Sequence, residues 1–364
     1  MAIRCTQCQF IPDLRSSPYC CPVCGGYFDY ESGIEFDSKT IDHKLPGIWR
    51  YRSSFGLPDE LPPISLGEGS TPLIWDEVNG KRVAFKLDYL NPTGSYKDRG
   101  TTVLISYLAW SGVEQAIEDS SGNAGASFAG YCSRAGMRGK VYVPAYASGP
   151  KRAQIEAYGS ELVPVPGPRS NASLAVQQEA ESGTTYASHV HQPYVIPGYA
   201  TAAYEILEQI GAEPGSVIVP AGQGSNLLGI ARGFEALFNA GEIDQKPQMV
   251  GVQSMACAPL WAATQIDLIG DFKIKEGDTI AEGIRILKPL RREQVLAAVE
   301  SSNGKMVVVE EQDILPGRNE LARRGFHVEP TSAVVWPALT KHIEQLREPV
   351  VVILTGSGLK YVGN

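Results

Sequence analysis

The stretch Asn91-Pro92-Thr93-Gly94-Ser95-Tyr96-Lys97-Asp98-Arg99-Gly100 sets a lysine directly behind a turn rich in proline, glycine and serine. A helix-like run, Thr101 to Trp110, follows it. This spacing predicts one amine presented from a fixed backbone point at the head of a helix. A lysine held beside apolar or cationic groups has a lowered pKa and can form a Schiff base with a carbonyl compound. A capped helix with a solvent-facing lysine has the same local sequence, so the other segments decide between the two.

Three segments follow in order. Asp119-Ser120-Ser121-Gly122-Asn123-Ala124-Gly125-Ala126 places small and amide residues at the mouth of a second helix. Val217-Ile218-Val219-Pro220-Ala221-Gly222-Gln223-Gly224-Ser225-Asn226 is an apolar strand, a glycine turn and the start of a helix. Glycines after a strand let backbone N–H groups close around an anion, and the helix N-terminus adds partial positive charge. A phosphate suits Gly222 to Asn226; a tight turn without a ligand is the plainer alternative. No Gly-Lys-Ser/Thr follows, which removes a P-loop, and Gly222-x-Gly224 lacks the third glycine of a dinucleotide fingerprint. Val350 to Leu354 is a buried strand that ends in the turn Thr355-Gly356-Ser357-Gly358.

Lysine, SSGNAG loop, glycine loop and TGSG turn, in that order, resemble the fold-type II pyridoxal-phosphate (PLP) enzymes. Within that superfamily the pattern is most similar to threonine synthase and its relatives, from Leu66 to Lys360. The resemblance implies two parallel-sheet α/β domains. It implies that Lys97 binds PLP covalently and, once freed, takes the substrate Cα proton. It gives the PLP 3′-oxygen to Asn123, the phosphate to Gly222, Gln223, Gly224, Ser225 and Asn226, and the pyridine nitrogen to the hydroxyl of Thr355. A neutral hydroxyl does not force that nitrogen to be protonated as an aspartate would, which favours elimination and replacement over transamination. Ser120, Ser121, Gly122 and Ala124 are expected at the substrate carboxylate, and Ser188 at the substrate. The same loop also reads as an N-cap cluster, and both roles can hold together. Thr279 to Arg285 resembles the loop that passes the PLP ring. There Gly283 would allow close approach, and Glu282 is either a general acid or an exposed carboxylate.

Two positions depart from the threonine synthase pattern. The family commonly has threonine after the loop asparagine, where this chain has Ala124. It commonly has an arginine after an Asn-Ser pair, where this chain reads Ala187-Ser188-His189-Val190-His191-Gln192-Pro193-Tyr194-Val195. Ser188 is retained and Val195 takes the arginine position. Arginine gives bidentate, permanently charged phosphate recognition, so its loss puts a phosphorylated substrate in question. His189, His191, Lys151 and Arg152 are the candidates to compensate. His189 and His191 are spaced to face one way on a strand.

Three functions follow. The first is threonine synthase-like elimination and replacement on a small L-amino acid, a lyase, with O-phosphohomoserine to threonine as the family reaction. The second is threonine/serine dehydratase-like or ammonia-lyase-like β-elimination giving a 2-oxo acid. The third is a non-catalytic PLP-binding or zinc-ribbon interaction protein.

Five of the seven cysteines lie near the N-terminus. Cys5-x2-Cys8 and Cys21-x2-Cys24 are two thiolate turns separated by twelve residues, the spacing of a structural Zn2+ site. Cys20 is an alternative to Cys21, and a cluster of ordinary thiols is the alternative to a metal. Four thiolates leave no open position for catalysis. A short zinc ribbon also occurs in some threonine synthase-like proteins.

The elements that must position these residues alternate. Strands are expected at 83–87, 140–143, 161–165, 217–219, 249–252 and 350–354. Helices are expected at 127–135, 150–158, 173–182, 201–210 and 331–346. Alternation of this kind predicts parallel sheets covered on both faces. The expected organisation is a ribbon at 1–30, a large PLP-binding domain from 31–94 and 196–364, and a small domain at 95–195. The chain has 364 residues, 43% of them apolar, with net charge −8. Such a balance argues against nucleic acid or an anionic membrane as partner. The N-terminus has no apolar signal core, and no run reaches the ~18 apolar residues of a membrane helix, so the cytoplasm is expected. A homodimer is the family expectation.

Overall fold

The computed structural model describes residues 3–146, 149–265 and 277–361. Parts of the expected ranges 1–30, 95–195 and 196–364 therefore lie outside the described residues. In chain order the strands are β1 (Ile3–Cys5), β2 (Phe28–Tyr30), β3 (Leu73–Val78), β4 (Lys81–Lys86), β5 (Gln115–Glu118), β6 (Arg138–Pro144), β7 (Glu161–Val165), β8 (Thr185–Tyr186), β9 (Ser216–Pro220), β10 (Gln248–Ser254), β11 (Lys305–Val309) and β12 (Val350–Ile353). The helices used below are α1 (Lys97–Trp110), α2 (Asn123–Ala135), α3 (Pro150–Ala157), α4 (Arg169–Glu181), α5 (Val195–Ile210) and α6 (Ser225–Asn239).

The chain divides into two units. The first holds the described residues up to Gly69 together with Asn91–Gly198; the second holds Ser70–Leu90 and the described residues from Tyr199 onward. In the first, β7, β6, β5 and β8 form a four-stranded parallel sheet in that order. Its core gathers Ile117, Tyr142, Ala172, Val176 and Tyr186. The connector before Gly69 is tied in by Glu68, which is fully buried. The Glu68 carboxylate accepts from the Trp49 indole at 2.9 Å and the Tyr131 hydroxyl at 2.6 Å. Burial first, then nearby acidic groups, raises the Tyr131 phenol well above its usual range, so it stays a donor there. The antiparallel pair β1–β2 also belongs to this unit.

In the second unit the order is β11-β10-β9-β12-β4-β3. All neighbours are parallel except β3, which runs antiparallel to β4 at the edge. Strands β9 and β12 are buried at every position, as their near-continuous valine and isoleucine demand of a sheet covered on both faces. Val83, Phe85, Ile218, Val250, Val307, Val350 and Val352 share one core with Trp336 and Leu339.

The expected strands are all present. Strands β1, β2, β3, β5, β8 and β11 add to them; each is a short run in which polar residues interrupt or flank the apolar ones. The expected helix at 331–346 is broken into Pro330–Ala333, Val335–His342 and a 3-10 turn Ile343–Gln345. His189 and His191 do not lie on a strand: β8 ends at Tyr186, and both histidines sit in the turn that follows.

Candidate active site

Lys97 is the first residue of α1 and is half-buried. Its turn is held from both sides. Gly94 adopts φ 87°, a conformation glycine takes at no steric cost, and its N–H donates to Asn91 O at 2.7 Å. Asp98, fully buried, accepts from the Thr93 N–H at 2.7 Å, the Thr93 hydroxyl at 2.5 Å and the Ser127 hydroxyl of α2 at 2.6 Å. One carboxylate thereby locks the turn that carries the lysine onto the next helix. The Lys97 Nζ lies 4.9 Å from the centre of the Tyr96 ring.

The loop between β5 and α2 is pressed against its own helix. A Cβ on Gly125 would stand 1.8 Å from Ser120 O, so only glycine fits. Ser120 is buried and its hydroxyl accepts from the Gly122 N–H at 3.2 Å. Ser121, Gly122 and Asn123 are half-buried, and Ala124 is buried. Gly122 caps α2 without any side-chain hydrogen bond, so the serines do not act as its N-cap. Asp119 accepts from the Tyr186 hydroxyl at 2.6 Å and the Ser173 hydroxyl at 2.7 Å.

Glu118 and His189 pair beneath this loop, with His189 Nδ1 at 2.7 Å from Glu118 Oε1. Burial, reinforced by Asp119, raises the Glu118 carboxyl well above the carboxylate range, against the pull of the His189 N–H and Lys97. Burial and the Lys97 charge hold the His189 imidazole well below its usual value. Ser188 is fully buried and its hydroxyl lies 3.0 Å from His191 Nδ1. It also accepts from the Val190 and His191 N–H groups, both at 3.3 Å, so this serine shapes the turn.

In the second unit, β9 runs into the glycine loop and α6. A Cβ on Gly222 would meet Ile284 Cα at 2.9 Å and Gly283 O at 3.0 Å, so the segment Ala281–Arg285 lies against this loop. Glu282 and Gly283 are exposed. Gly224 has φ 80°, and a Cβ there would meet Val295 at 2.6 Å. Gln223 Oε1 accepts from the Leu290 N–H at 3.1 Å. Ser225 opens α6 and is buried. Asn226 is 4% exposed, and among the described residues neither its amide oxygen nor its amide nitrogen has a partner. A buried amide left this way costs ~1–3 kcal/mol, which a bound polar group would remove. Thr355, at the end of β12, is buried and its N–H donates to the Ser332 hydroxyl at 2.8 Å.

The Sγ atoms of Cys5, Cys8, Cys21 and Cys24 lie within 4.8 Å of one another. Cys5–Cys24 and Cys8–Cys21 are each 3.5 Å apart. A Cβ on Gly26 would approach Cys5 Sγ to 2.9 Å, so glycine lets the second turn close on the cluster. Cys20 is not a member.

Sequence reasoning missed the supports. Glu118, Ser332 and Gln253 lie outside every motif, and Asp98, though inside the lysine stretch, had no role assigned to it. Gln253 is fully buried; it donates to Ala221 O at 3.0 Å and accepts from the Leu260 and Trp261 N–H groups. Lys86 and Glu205 form an ion pair of 2.7 Å with both side chains fully buried. A charged residue inside an apolar strand, such as Lys86 in β4, was the available signal for that pair.

Residues 64–356 match the family model described as pyridoxal-phosphate dependent enzyme. The chain is 35% identical to the threonine synthase of Methanocaldococcus jannaschii, over 99% of this chain and 93% of that protein. It is 34% identical to the threonine synthase of a Synechocystis strain, over 86% and 82%. Among solved structures, a threonine deaminase from T.th. superposes with a TM-score of 0.69 at 27% identity, covering 80% of this chain and 94% of that one. Maize serine racemase shares the fold at a TM-score of 0.69 and 21% identity, covering 79% of this chain and 88% of that one. The residues present fit the cofactor, since the glycine loop is shaped for close approach and ends at a buried amide that no described residue satisfies. This chain belongs to the family of pyridoxal-phosphate dependent enzymes.

Proposed function

We propose that this enzyme carries out threonine synthase-like elimination and replacement on a small L-amino acid. The observation that carries the reading is Asn226, whose buried amide lacks a partner among the described residues, at the head of α6 directly behind two glycines whose Cβ positions are blocked. Gly222, Gln223, Gly224, Ser225 and Asn226 hold the cofactor phosphate through loop N–H groups and that amide. Lys97 would hold the cofactor aldehyde, and its Nζ, free once the substrate amine has taken its place, would accept the substrate Cα proton. When bound, the cofactor supplies an electron sink for the charge left at Cα. Asn123 takes the cofactor 3′-oxygen and Thr355 the pyridine nitrogen. Ser120, Ser121, Gly122 and Ala124 orient the substrate carboxylate, with Ser188 shaping the turn beside it. Threonine synthases at 30–35% identity support this assignment.

β-Elimination to a 2-oxo acid is the second reading. Two observations favour it: Ala124 and Val195 are apolar and buried, so neither offers a charge to a substrate phosphate, and the threonine deaminase structure is similar. Supplying O-phospho-L-homoserine and reading threonine by mass spectrometry separates the two. Threonine formation supports the first. No turnover by protein with cofactor attached, together with a 2-oxo acid from serine or threonine, overturns it.

Zinc belongs to the same proposal. Four convergent thiolates suit Zn2+ in a closed tetrahedral, structural role, with Cys21 rather than Cys20 as ligand. A cytoplasmic homodimer completes it, and sedimentation velocity tests the assembly. Among the described residues no helix is long and apolar enough to cross a membrane.

A further inference from the structure

The segment from Leu14 to Tyr19 has no part in the reading above. It joins the two cysteine turns and lies in the same unit as the four-stranded sheet. A turn this small has little core of its own. This one is seated on the rest of its unit. The Tyr107 hydroxyl of α1 lies 2.7 Å from Leu14 O and 3.0 Å from Ser16 O. The Arg15 guanidinium stands 4.7 Å from the centre of the Trp110 ring. Gln192 is buried, and its Nε2 donates to Ser17 O and to Tyr186 O, both at 3.1 Å.

Tyr19 reaches furthest in. It is half-buried and packs on the core of Ile117, Tyr142, Ala172, Val176 and Tyr186. Its ring centre is 5.3 Å from that of Tyr186 and 5.6 Å from that of His191, the second pair meeting edge-on at 89°. Both separations are in the favoured range for aromatic pairs. Each partner holds a turn of its own. The Tyr186 hydroxyl donates to Asp119 at 2.6 Å, and Asp119 leads directly into Ser120–Asn123. The His191 ring contacts Ser188. On its other side Tyr19 is two residues from Cys21. The Cys21 N–H donates to Gly26 O at 2.7 Å, and its carbonyl accepts from the Gly25 N–H at 2.8 Å. Cysteine turn, Tyr19 ring, Tyr186 ring, Tyr186 hydroxyl and Asp119 are therefore joined by contacts at every step. We propose that Tyr19 is a positioning residue that couples metal binding at the cysteine cluster to the order of the Ser120–Ala124 loop. The inference rests on that loop holding the substrate carboxylate.

The test is amide hydrogen exchange of full-length holoenzyme without substrate, read by peptide mass spectrometry. Stripping zinc from the wild type with a chelator should speed exchange at 119–126 about 5- to 30-fold and leave β6 and β7 unchanged. Tyr19→Ala should speed the loop by a similar factor while elemental analysis still finds zinc. Stripping that zinc should then add nothing at the loop, since the coupling is already broken. Tyr19→Phe keeps the ring and should match wild type. Loop exchange that ignores zinc overturns the proposal, as do zinc and Tyr19 effects that multiply independently. An even rise through the whole unit overturns it too and makes the ribbon a plain stabiliser. Protein that takes up no zinc has the same consequence. The chelator measurement on wild type survives a poorly folding Tyr19→Ala variant. Saturating L-serine, L-threonine or O-phospho-L-homoserine isolates the underlying reading, because substrate held there should slow exchange at 119–126 in wild type. A loop untouched by all three overturns that reading and leaves Tyr19 no substrate loop to position.

Discussion

The lysine region and the glycine-loop region solve opposite problems. The first unit, which carries Lys97, buries ionisable side chains from several segments: Glu68, Asp98 and Glu118, with His189 against the last. Around Gly222–Asn226 the second unit uses backbone and neutral amides: two constrained glycines, Gln223 on Leu290, Gln253 on Ala221 and Ser332 on Thr355. A group that must gain and lose a proton needs neighbours whose charge can respond. A phosphate, anionic at every working pH, needs a shape lined by N–H groups, which glycines after a strand provide locally. On the proposed reading, proton handling would depend on long-range contacts, and phosphate binding on a few consecutive residues.

The contrast makes ordered predictions. Lys97→Ala should abolish turnover, by about 10³-fold or more, and eliminate covalent cofactor retention after reduction and digestion. Residual activity above that level would remove the lysine from the chemistry. Gly222→Val comes next. Its side chain would collide with backbone at Ile284 and Gly283, which a rotamer change cannot relieve. Cofactor affinity should fall about 10- to 100-fold on spectrophotometric titration, the equivalent of ~1–3 kcal/mol of overpacking. Asp98→Asn should lower stability by about 1–3 kcal/mol in urea, because the amide presents an N–H2 group to donors that had faced oxygen.

Asn226→Ala sharpens the comparison further. Its amide has no partner among the described residues, so the cofactor-free melting temperature should hold or rise slightly, while cofactor affinity falls about 10-fold. A loss of stability without a loss of affinity would make Asn226 a structural residue. The smallest effect on the reaction is expected at the cysteine cluster. Cys21→Ser should lose zinc by elemental analysis and Cys20→Ser should keep it. The reverse pattern would exchange their roles.

The glycine loop was readable because its function is local. A strand, two glycines and a helix start within ten residues dictate the turn whatever surrounds them. The cysteine spacing was readable for the same reason, though sequence left Cys20 and Cys21 open. Only the folded turn, with Gly26 closing over Cys5, brings Cys21 to the other three sulfurs. The histidines mark the limit. Their alternation suggested a strand, but β8 stops at Tyr186, where Ser188 begins to bond the turn's own backbone and ends the ladder.

Residue order fixed the alternating elements, the parallel sheets and the four chemical motifs, since hydrophobic period and glycine placement act over a few residues. Tertiary structure alone decided what stands beside each motif: Asp98 against Ser127, Glu118 against His189 across 71 positions of chain, and Lys86 against Glu205 across 119. A carboxylate accepts from any donor that folding brings to it, so its partner carries no signature at a fixed spacing. Such pairs exist only once burial has removed water as the competing partner.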